Sequence, residues 1–261
     1  MTNNSRAPHF TDFHIHVGQF YHIYTSPDDL LRLMDGIGVN QFAASSTSIC
    51  EGDYDKVLRE MSELEDIAKG RLHAVLWIIP SMLTDGGLER FLDSGIKWEC
   101  LKIHPQLNPS AWGESEPYMK QVASLAKSLR LPLLIHTGET EGCYPILFQQ
   151  TIADNPETLF ILAHARPLDQ TINLMELYSN VWADTAFVPI ENIVKLCNAG
   201  VSSRVLWGTD YPIPKYYSED LDMTRYYADL IEALQRSVCR EDFKKITYGN
   251  FAECFGLESL S

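Results

Sequence analysis

The stretch Leu159-Phe160-Ile161-Leu162-Ala163-His164-Ala165 begins with five consecutive apolar residues and continues into a histidine. A nearly continuous apolar run of this length is typical of a parallel strand that is buried on both faces. Seven other stretches have a similar β-rich character and begin roughly every 25–35 residues, the length of a strand–helix unit. The eight predicted strands are Phe10–Val17, Val39–Ser45, Arg71–Ile79, Lys97–His104, Pro132–Gly138, Leu159–Ala165, Val181–Ala186 and Val205–Tyr211.

Helical patterns occupy the intervals between these strands. Ser26-Pro27-Asp28-Asp29 offers an N-cap, a proline at the first helical position and acidic residues in the first turn. Tyr54 to Lys69 carries apolar residues at helical spacing, and Asn198-Ala199-Gly200 is a plausible helix end. Two more helices are predicted after the last strand, around Asp220–Ser237 and Glu241–Phe255.

Eight strand–helix units predict an α/β protein, most economically a single (β/α)8 barrel with extra C-terminal helices. We expect one domain over residues 1–261, because the sequence contains neither a linker nor a low-complexity segment. A doubly wound open sheet is the alternative fold. It usually has fewer strands, and no Gly-x-Gly-x-x-Gly motif follows the first strand here.

Charge and composition restrict the class of partner. The chain has 21 Lys and Arg residues against 35 Asp and Glu residues, a net charge of −14, which disfavours long-range attraction to nucleic acid or anionic membranes. Met1 to His9 lacks the apolar core of a signal peptide, and the six cysteines include no Cys-x-x-Cys pair. We therefore expect a cytoplasmic protein with reduced thiols that acts on a small molecule. Its predicted C-terminal helices are amphipathic, which is compatible with a homodimer as well as with packing on the barrel.

Five of the eight histidines fall near the C-terminal ends of predicted strands, where the active site of a barrel forms. They are His14, His16, His104, His136 and His164. Residues i and i+2 of a strand share a face, so the two histidines of Asp12-Phe13-His14-Ile15-His16 can bind one metal ion. A pair of hydrogen-bonded rim histidines is the alternative interpretation.

Two further ionisable residues belong to the same end of the predicted barrel. Asp210 follows the last strand, where it would ligate a metal and shuttle a proton or, alternatively, cap a helix. Lys102 shares a strand face with His104. It would hold a substrate carboxylate, form a carbamate that bridges two metals, or pair with a neighbouring acid. Imidazole and carboxylate groups together suit divalent zinc, manganese or iron.

This ordered set resembles the amidohydrolase superfamily over almost the whole chain, from Asp12-Phe13-His14-Ile15-His16 to Trp207-Gly208-Thr209-Asp210-Tyr211-Pro212. The segments Leu101-Lys102-Ile103-His104-Pro105, Ile135-His136-Thr137-Gly138 and Tyr248-Gly249-Asn250-Phe251 are similar to the amidohydrolase-related, or amidohydrolase 2, branch. That branch contains small hydrolases, lactonases and non-oxidative decarboxylases of aromatic or unsaturated acids.

The resemblance implies a role for each matching residue. His14, His16 and His136 would be metal ligands, and Asp210 would be a ligand or the general base. His164 would be a ligand of a second metal, or a base or electrophile beside a single metal. Lys102 occupies the position of the carboxylated lysine of two-metal members, whereas single-metal decarboxylases and lactonases generally lack that bridge.

The resulting hypothesis is a metal-dependent hydrolase of a small amide, lactone or ester, with one or two ions, Zn²⁺ first and Mn²⁺ or Fe²⁺ as alternatives. Asp210 would be the general acid and base. A non-oxidative decarboxylase of an aromatic or unsaturated acid is the alternative function. The residues expected to contact substrate or shape the pocket are His104, Arg166, Glu139 and Tyr211, with Trp112, Glu141 and Tyr144 suggested by loop position alone.

Overall fold

The computed structural model describes residues 10–106 and 116–257. Residues 1–9 and Trp112 therefore lie outside the described parts of the chain. Nine strands form one sheet in the order β2-β1-β3-β4-β5-β6-β7-β8-β9. Their bounds are β1 Phe10–Phe20, β2 Ile23–Thr25, β3 Val39–Ser46, β4 Leu72–Trp77, β5 Trp98–Ile103, β6 Leu133–His136, β7 Phe160–Ala163, β8 Val181–Asp184 and β9 Val205–Leu206.

All neighbouring strand pairs are parallel except β1 and β2, which form an antiparallel hairpin. The sheet closes where β1 meets the segment that follows β9. Phe13 N donates to Trp207 O at 2.7 Å, Asp210 N donates to His14 O at 2.7 Å, and His16 N donates to Tyr211 O at 2.6 Å. The eight parallel strands thus form the predicted (β/α)8 barrel, and the β1–β2 hairpin is an addition that the sequence pattern did not predict.

The α-helices alternate with the strands up to β9 and continue beyond it. Their bounds are α1 Pro27–Ile37, α2 Tyr54–Ala68, α3 Gly87–Leu92, α4 Glu116–Leu129, α5 Gln149–Asp154, α6 Leu168–Leu177, α7 Ile190–Asn198, α8 Ile213–Tyr217, α9 Met223–Ser237, α10 Arg240–Lys244 and α11 Asn250–Cys254. The predicted cap of α1 is confirmed, because Asp29 N donates to Ser26 Oγ at 3.1 Å. A π-helical turn, Lys245–Gly249, divides the helix predicted over Glu241–Phe255. No helix in the described ranges is long and apolar enough to cross a membrane.

One apolar layer fills the barrel interior below the C-terminal ends of the strands. Each parallel strand contributes to it, and the contributors are Phe13, Ala43, Val75, Cys100, Leu134, Ile161, Trp182 and Leu206. Trp77, Lys102 and His136 each follow one of these residues by two positions, so they share its inward face one layer higher. The ring of Phe251 from α11 joins the same cluster and contacts Phe13, with ring centroids 6.4 Å apart.

Strand β1 reaches the site through an irregularity. Its register with β3 shifts between Asp12 and Ile15. Phe13 belongs to the inner layer, whereas Ile15, two residues further, packs in the outer core between strands and helices. A bulge changes the alternation of a strand in this way. It lets Phe13 fill the barrel while His14 and His16 both face its C-terminal end.

Asn250 ties the C-terminal helices to the barrel. It is buried, and its Nδ2 donates to Ser202 O at 2.7 Å and to Val205 O at 2.6 Å. Asn250→Ala removes both donors and leaves two carbonyls without them, so we expect a loss of about 2–3 kcal/mol in the free energy of unfolding. Urea denaturation measures it. Asn198→Ala, at an exposed helix end, is the matched control, with a change within about 0.5 kcal/mol. Equal losses in the two variants would contradict this account.

Candidate metal centre

Four histidines at the C-terminal end of the barrel each have one ring nitrogen held by the protein. For three of them it is Nδ1: His14 pairs with Asp184 Oδ2 at 2.8 Å, His16 with Ser45 Oγ at 2.9 Å, and His164 with Ala186 O at 3.0 Å. His136 is turned the other way, because its Nε2 pairs with Glu139 Oε2 at 2.5 Å. Such outer partners fix the orientation of a ligating imidazole.

The opposite ring nitrogens converge on one another. Asp210 Oδ1 lies 3.4 Å from His14 Nε2 and 3.0 Å from His16 Nε2. His136 Nδ1 and His164 Nε2 lie 3.0 Å apart. One ligand atom from each of His14, His164 and Asp210 lies within 4.8 Å of the other two, and all three residues are buried. This donor set could hold a metal ion, since converging imidazole and carboxylate atoms are suitable ligands for a divalent transition metal.

Lys102 points into the same cluster. Its side chain is buried, and Nζ lies 2.8 Å from His14 Nε2 and 3.2 Å from His16 Nε2. The ammonium group also lies 4.4 Å from the ring centroid of Trp77. Burial lowers the pKa of Lys102 from 10.5 to about 8. The lysine therefore faces the two histidines of β1 and is not in a peripheral ion pair.

The imidazoles of the cluster are in the form that binds metals. Burial, reinforced by the positive charge of Lys102, lowers the pKa of His14, His16 and His136 well below the ordinary value. Burial and the neighbouring His136 lower the pKa of His164 to about 3. Neutral imidazoles keep a lone pair for a metal at neutral pH, so these rings need not lose a proton on binding.

Two buried carboxylates that the sequence analysis did not identify support the cluster. Asp184, the last residue of β8, holds His14 through Oδ2, while its Oδ1 accepts from the backbone nitrogens of His164 and Ala186, each at 3.0 Å. Asp12 accepts hydrogen bonds from His14 N at 3.1 Å and from Thr209 Oγ1 at 2.6 Å. The sequence feature that could have identified both is that each is the single acidic residue of a predicted buried strand. Asp12 also precedes His14 by two residues.

The cluster forms the base of a cavity of about 630 Å³. Its lining includes the expected substrate-contacting residues His104, Arg166 and Glu139. The ring of His104 stacks on His136 with centroids 3.6 Å apart, and Arg166 Nη2 donates to Glu139 Oε1. The sequence analysis did not identify the aromatic part of the lining, which consists of Phe20, Tyr21, Trp77, Phe187, Tyr216 and Tyr217.

Tyr211 is not brought to this cavity. It is absent from the described lining, its side chain is only 7% exposed, and it hydrogen-bonds with Thr25. The reason is that Tyr211 bridges to Ile15 at the closing seam of the barrel, so its place is between strands. The loop residues Glu141 and Tyr144 are also absent from the described lining.

A family model described as amidohydrolase matches residues 11–257, nearly the whole chain. The chain belongs to the amidohydrolase family. Members of this family generally depend on a metal, which agrees with the donor set of His14, His164 and Asp210. A comparison with curated proteins finds no match.

Solved structures share the barrel fold with this family member at low sequence identity. A TIM-barrel protein from Bordetella bronchiseptica superimposes with a TM-score of 0.70 at 12% identity, covering 95% of this chain and 98% of that one. A probable 2-pyrone-4,6-dicarboxylic acid hydrolase from Acinetobacter baumannii gives 0.68 at 16% identity, covering 95% and 99%. IDCase from Metarhizium anisopliae gives 0.68 at 12% identity, covering 97% and 98%.

Asp184→Asn tests how far this amidohydrolase-family site depends on its outer carboxylate. The amide can present an oxygen to either His14 or the two backbone donors, but its NH2 group then opposes the remaining donor. We expect zinc affinity to fall about 10–100-fold, as measured by titration with a competing chromophoric chelator. The exposed Asp169→Asn on α6 is the control, with unchanged affinity. Unaltered zinc affinity in Asp184→Asn would show that His14 needs no such support.

Proposed function

We propose that this protein is a metal-dependent hydrolase that cleaves a small amide, lactone or ester with two divalent ions, Zn²⁺ being the first candidate. The observation that carries the proposal is the position of Lys102, whose buried Nζ lies 2.8 Å and 3.2 Å from the Nε2 atoms of His14 and His16. On this proposal a carboxylated Lys102 would add a carboxylate-type ligand beside these two histidines and would bridge their ion to a second one.

The donors divide into two groups on this proposal. His14 and His16 would hold one ion through Nε2, together with Asp210 Oδ1. His136 would hold the other through Nδ1, with His164 through Nε2. Attack of the Lys102 amine nitrogen on the carbon of carbon dioxide, with loss of a proton, would give a carbamate that serves as a further ligand for the ions. The bound ions would supply acidification of a water molecule and polarisation of the substrate carbonyl.

Asp210 would be the general acid and base. Its Oδ1 lies against the ligand atoms of His14 and His16, and its backbone is fixed by the hydrogen bond from Asp210 N to His14 O. Asp210 also has a φ of 60°, so the chain turns sharply here and directs its carboxylate into the cavity. The carboxylate of Asp210 would accept a proton from the attacking water and then deliver it to the leaving group.

His104 and Arg166 would orient the substrate above the ions. His104 Nδ1 accepts from Gln106 N at 3.4 Å, which places the proton of the neutral ring on Nε2 as a donor. Arg166 lines the cavity, and its Nε is buried without a hydrogen-bond partner among the described residues. Nε packs against Gly138, so a substrate oxygen would meet the guanidinium at its cavity-lining edge, beside the pair with Glu139.

A decarboxylase would use the same histidines and Asp210 but release carbon dioxide without consuming water. The guanidinium of Arg166 lines the cavity and favours a carboxylated substrate, so this second function is tested as well. Lys102 counts against it, because a single-metal site has no need of a bridge. Assays of matched amide, ester, lactone and carboxylic acid panels, with carbon dioxide release measured in parallel, separate the two functions.

Asp210→Asn is expected to reduce kcat by at least about 10³-fold on any substrate that the panels identify, because the amide cannot accept the proton of water. Far-ultraviolet circular dichroism and the urea midpoint confirm that the variant is folded. Asp220→Asn, an exposed acid after α8, is the control and keeps wild-type kcat. Near-wild-type turnover by Asp210→Asn would overturn the role of this carboxylate.

Lys102→Ala tests the bridge. Metal content, measured by plasma emission on protein purified without chelator, is expected to be about two equivalents per chain in the wild type and lower in the variant. The truncated side chain leaves space for a small carboxylate, so added acetate is expected to restore part of the metal content and turnover. Lys102→Met fills that space and is expected to show no rescue. One equivalent in the wild type, or an unaffected Lys102→Ala variant, would refute the two-ion site.

A further inference from the structure

An unbroken series of aromatic rings runs from the metal centre to the mouth of the cavity. His164 and Phe187 have ring centroids 6.3 Å apart, Phe187 and Tyr217 are 5.9 Å apart, and Tyr217 and Tyr216 are 5.3 Å apart. Tyr216 then contacts Tyr21 of the β1–β2 hairpin turn at 5.2 Å. We call Phe187, Tyr216, Tyr217 and Tyr21 the aromatic rim.

A second aromatic wall starts from the same base. The ring of His104 lies parallel to those of Trp77 and His136, with interplanar angles of 10° and 15° and centroids 5.8 Å and 3.6 Å away. The two walls meet at His136 and His164, whose centroids lie 4.6 Å apart. The cavity is therefore a cleft whose two flat-faced walls converge on the candidate metal ligands.

The aromatic rim carries an energetic cost, because it exposes aromatic surface to water and holds one residue in an unfavourable backbone conformation. That cost argues against incidental packing. Tyr217 is 75% exposed and Tyr21 is 63% exposed, although both line the cavity. Contiguous exposed aromatic surface usually marks a binding site. Phe187 has a φ of 56°, a left-handed conformation that a residue other than glycine adopts at an energetic cost, in the loop that leaves β8. With this backbone conformation the ring of Phe187 faces the cavity.

Charge is confined to the inner part of the cleft. Within the described lining the ionised side chains are Lys102 and Asp210 at the metal centre and the mutually paired Glu139 and Arg166. The rim contributes only uncharged side chains. The portion of a ligand that occupies the rim is thus matched by flat, uncharged surface and not by a counter-ion.

From this arrangement we propose that the substrate carries an uncharged aromatic or heteroaromatic ring at the end remote from the reacting carbonyl, and that Phe187, Tyr216 and Tyr217 select it. This inference rests on the proposed hydrolase function, which orients the carbonyl towards the metal centre. It adds a specificity element that is independent of Arg166. The ring would stack on the rim, where aromatic pairs gain about 0.5–1.5 kcal/mol beyond burial of their area.

The test compares three product-like carboxylates that differ only at the remote end: phenylacetate, cyclohexylacetate and acetate. Their binding to the zinc-reconstituted full chain is measured by isothermal titration calorimetry. Cyclohexylacetate has a saturated ring and so separates stacking from hydrophobic burial. We expect phenylacetate to bind about fivefold more tightly than cyclohexylacetate, the ratio that corresponds to about 1 kcal/mol.

Variants assign the preference to the rim. Phe187→Leu and Tyr217→Leu are expected to bring the phenyl-to-cyclohexyl ratio close to one, and Tyr217 is exposed enough for its replacement to leave the fold intact. Tyr24→Leu, an exposed tyrosine of β2 outside the described lining, is the matched control and keeps the fivefold ratio. A wild-type ratio near one, a ratio unaffected by both rim variants, or no measurable binding of any of the three carboxylates would overturn the inference.

Hydrolysis of the methyl esters and primary amides of the same three acids is followed on the same preparations. Turnover without a ring preference in binding refutes the aromatic selection and leaves the hydrolase function standing. A ring preference in binding, with no member of the series hydrolysed, supports the rim and counts against the hydrolase function.

Discussion

The closing seam of the barrel is the constraint on which the candidate metal centre depends. Three backbone hydrogen bonds join β1 to the segment that follows β9, and they pair Phe13 with Trp207, His14 with Asp210 and His16 with Tyr211. Backbone hydrogen bonds therefore fix the relative positions of residues that are nearly two hundred positions apart in the chain. The Asp12 carboxylate reinforces the contact from below, since it accepts from both His14 N and Thr209 N. The carboxylate and the two imidazoles are thereby held together by the same interactions that complete the fold.

Burial of the histidines and carboxylates of the candidate metal centre is tolerated because each of these groups has a partner. A buried carboxylate such as Asp184 would be costly if left unpaired, but it accepts from one imidazole and two backbone nitrogens. The same contacts determine which nitrogen of His14 faces inwards. In His136 the other ring nitrogen faces inwards. Glu139 pairs with its Nε2, so Nδ1 is directed towards His164. The ligand atoms that a metal would meet are thus decided by residues that do not themselves face it.

The sequence predicted the barrel and the meeting of its histidines for identifiable reasons. Apolar runs of constant spacing identify buried parallel strands, and a polar residue at the C-terminal end of such a run must lie at the C-terminal end of the barrel. The face of β1 was predicted from simple alternation, yet His14 and His16 face the site only because a bulge separates them from Phe13. Tyr211 was misplaced because it belongs to the seam, and Asp184 was missed because its partner comes from a strand 170 residues away. The β1–β2 hairpin and the aromatic rim depend on loop conformations, which periodicity does not encode.

The two halves of the cleft are built by different parts of the chain. Its base consists of strand ends tied by hydrogen bonds across the barrel, whereas its mouth consists of a hairpin turn, the short helix α8 and the loop after β8. A shift of a strand end would disturb several ligand atoms at once, because the seam and the outer carboxylates couple them. Substitution of an exposed rim side chain such as Tyr21 or Tyr217 alters the surface that a ligand meets without removing any of those contacts. Chemistry and selectivity can therefore vary separately in this protein, and the roles assigned to Lys102 and to Phe187 stand on independent observations.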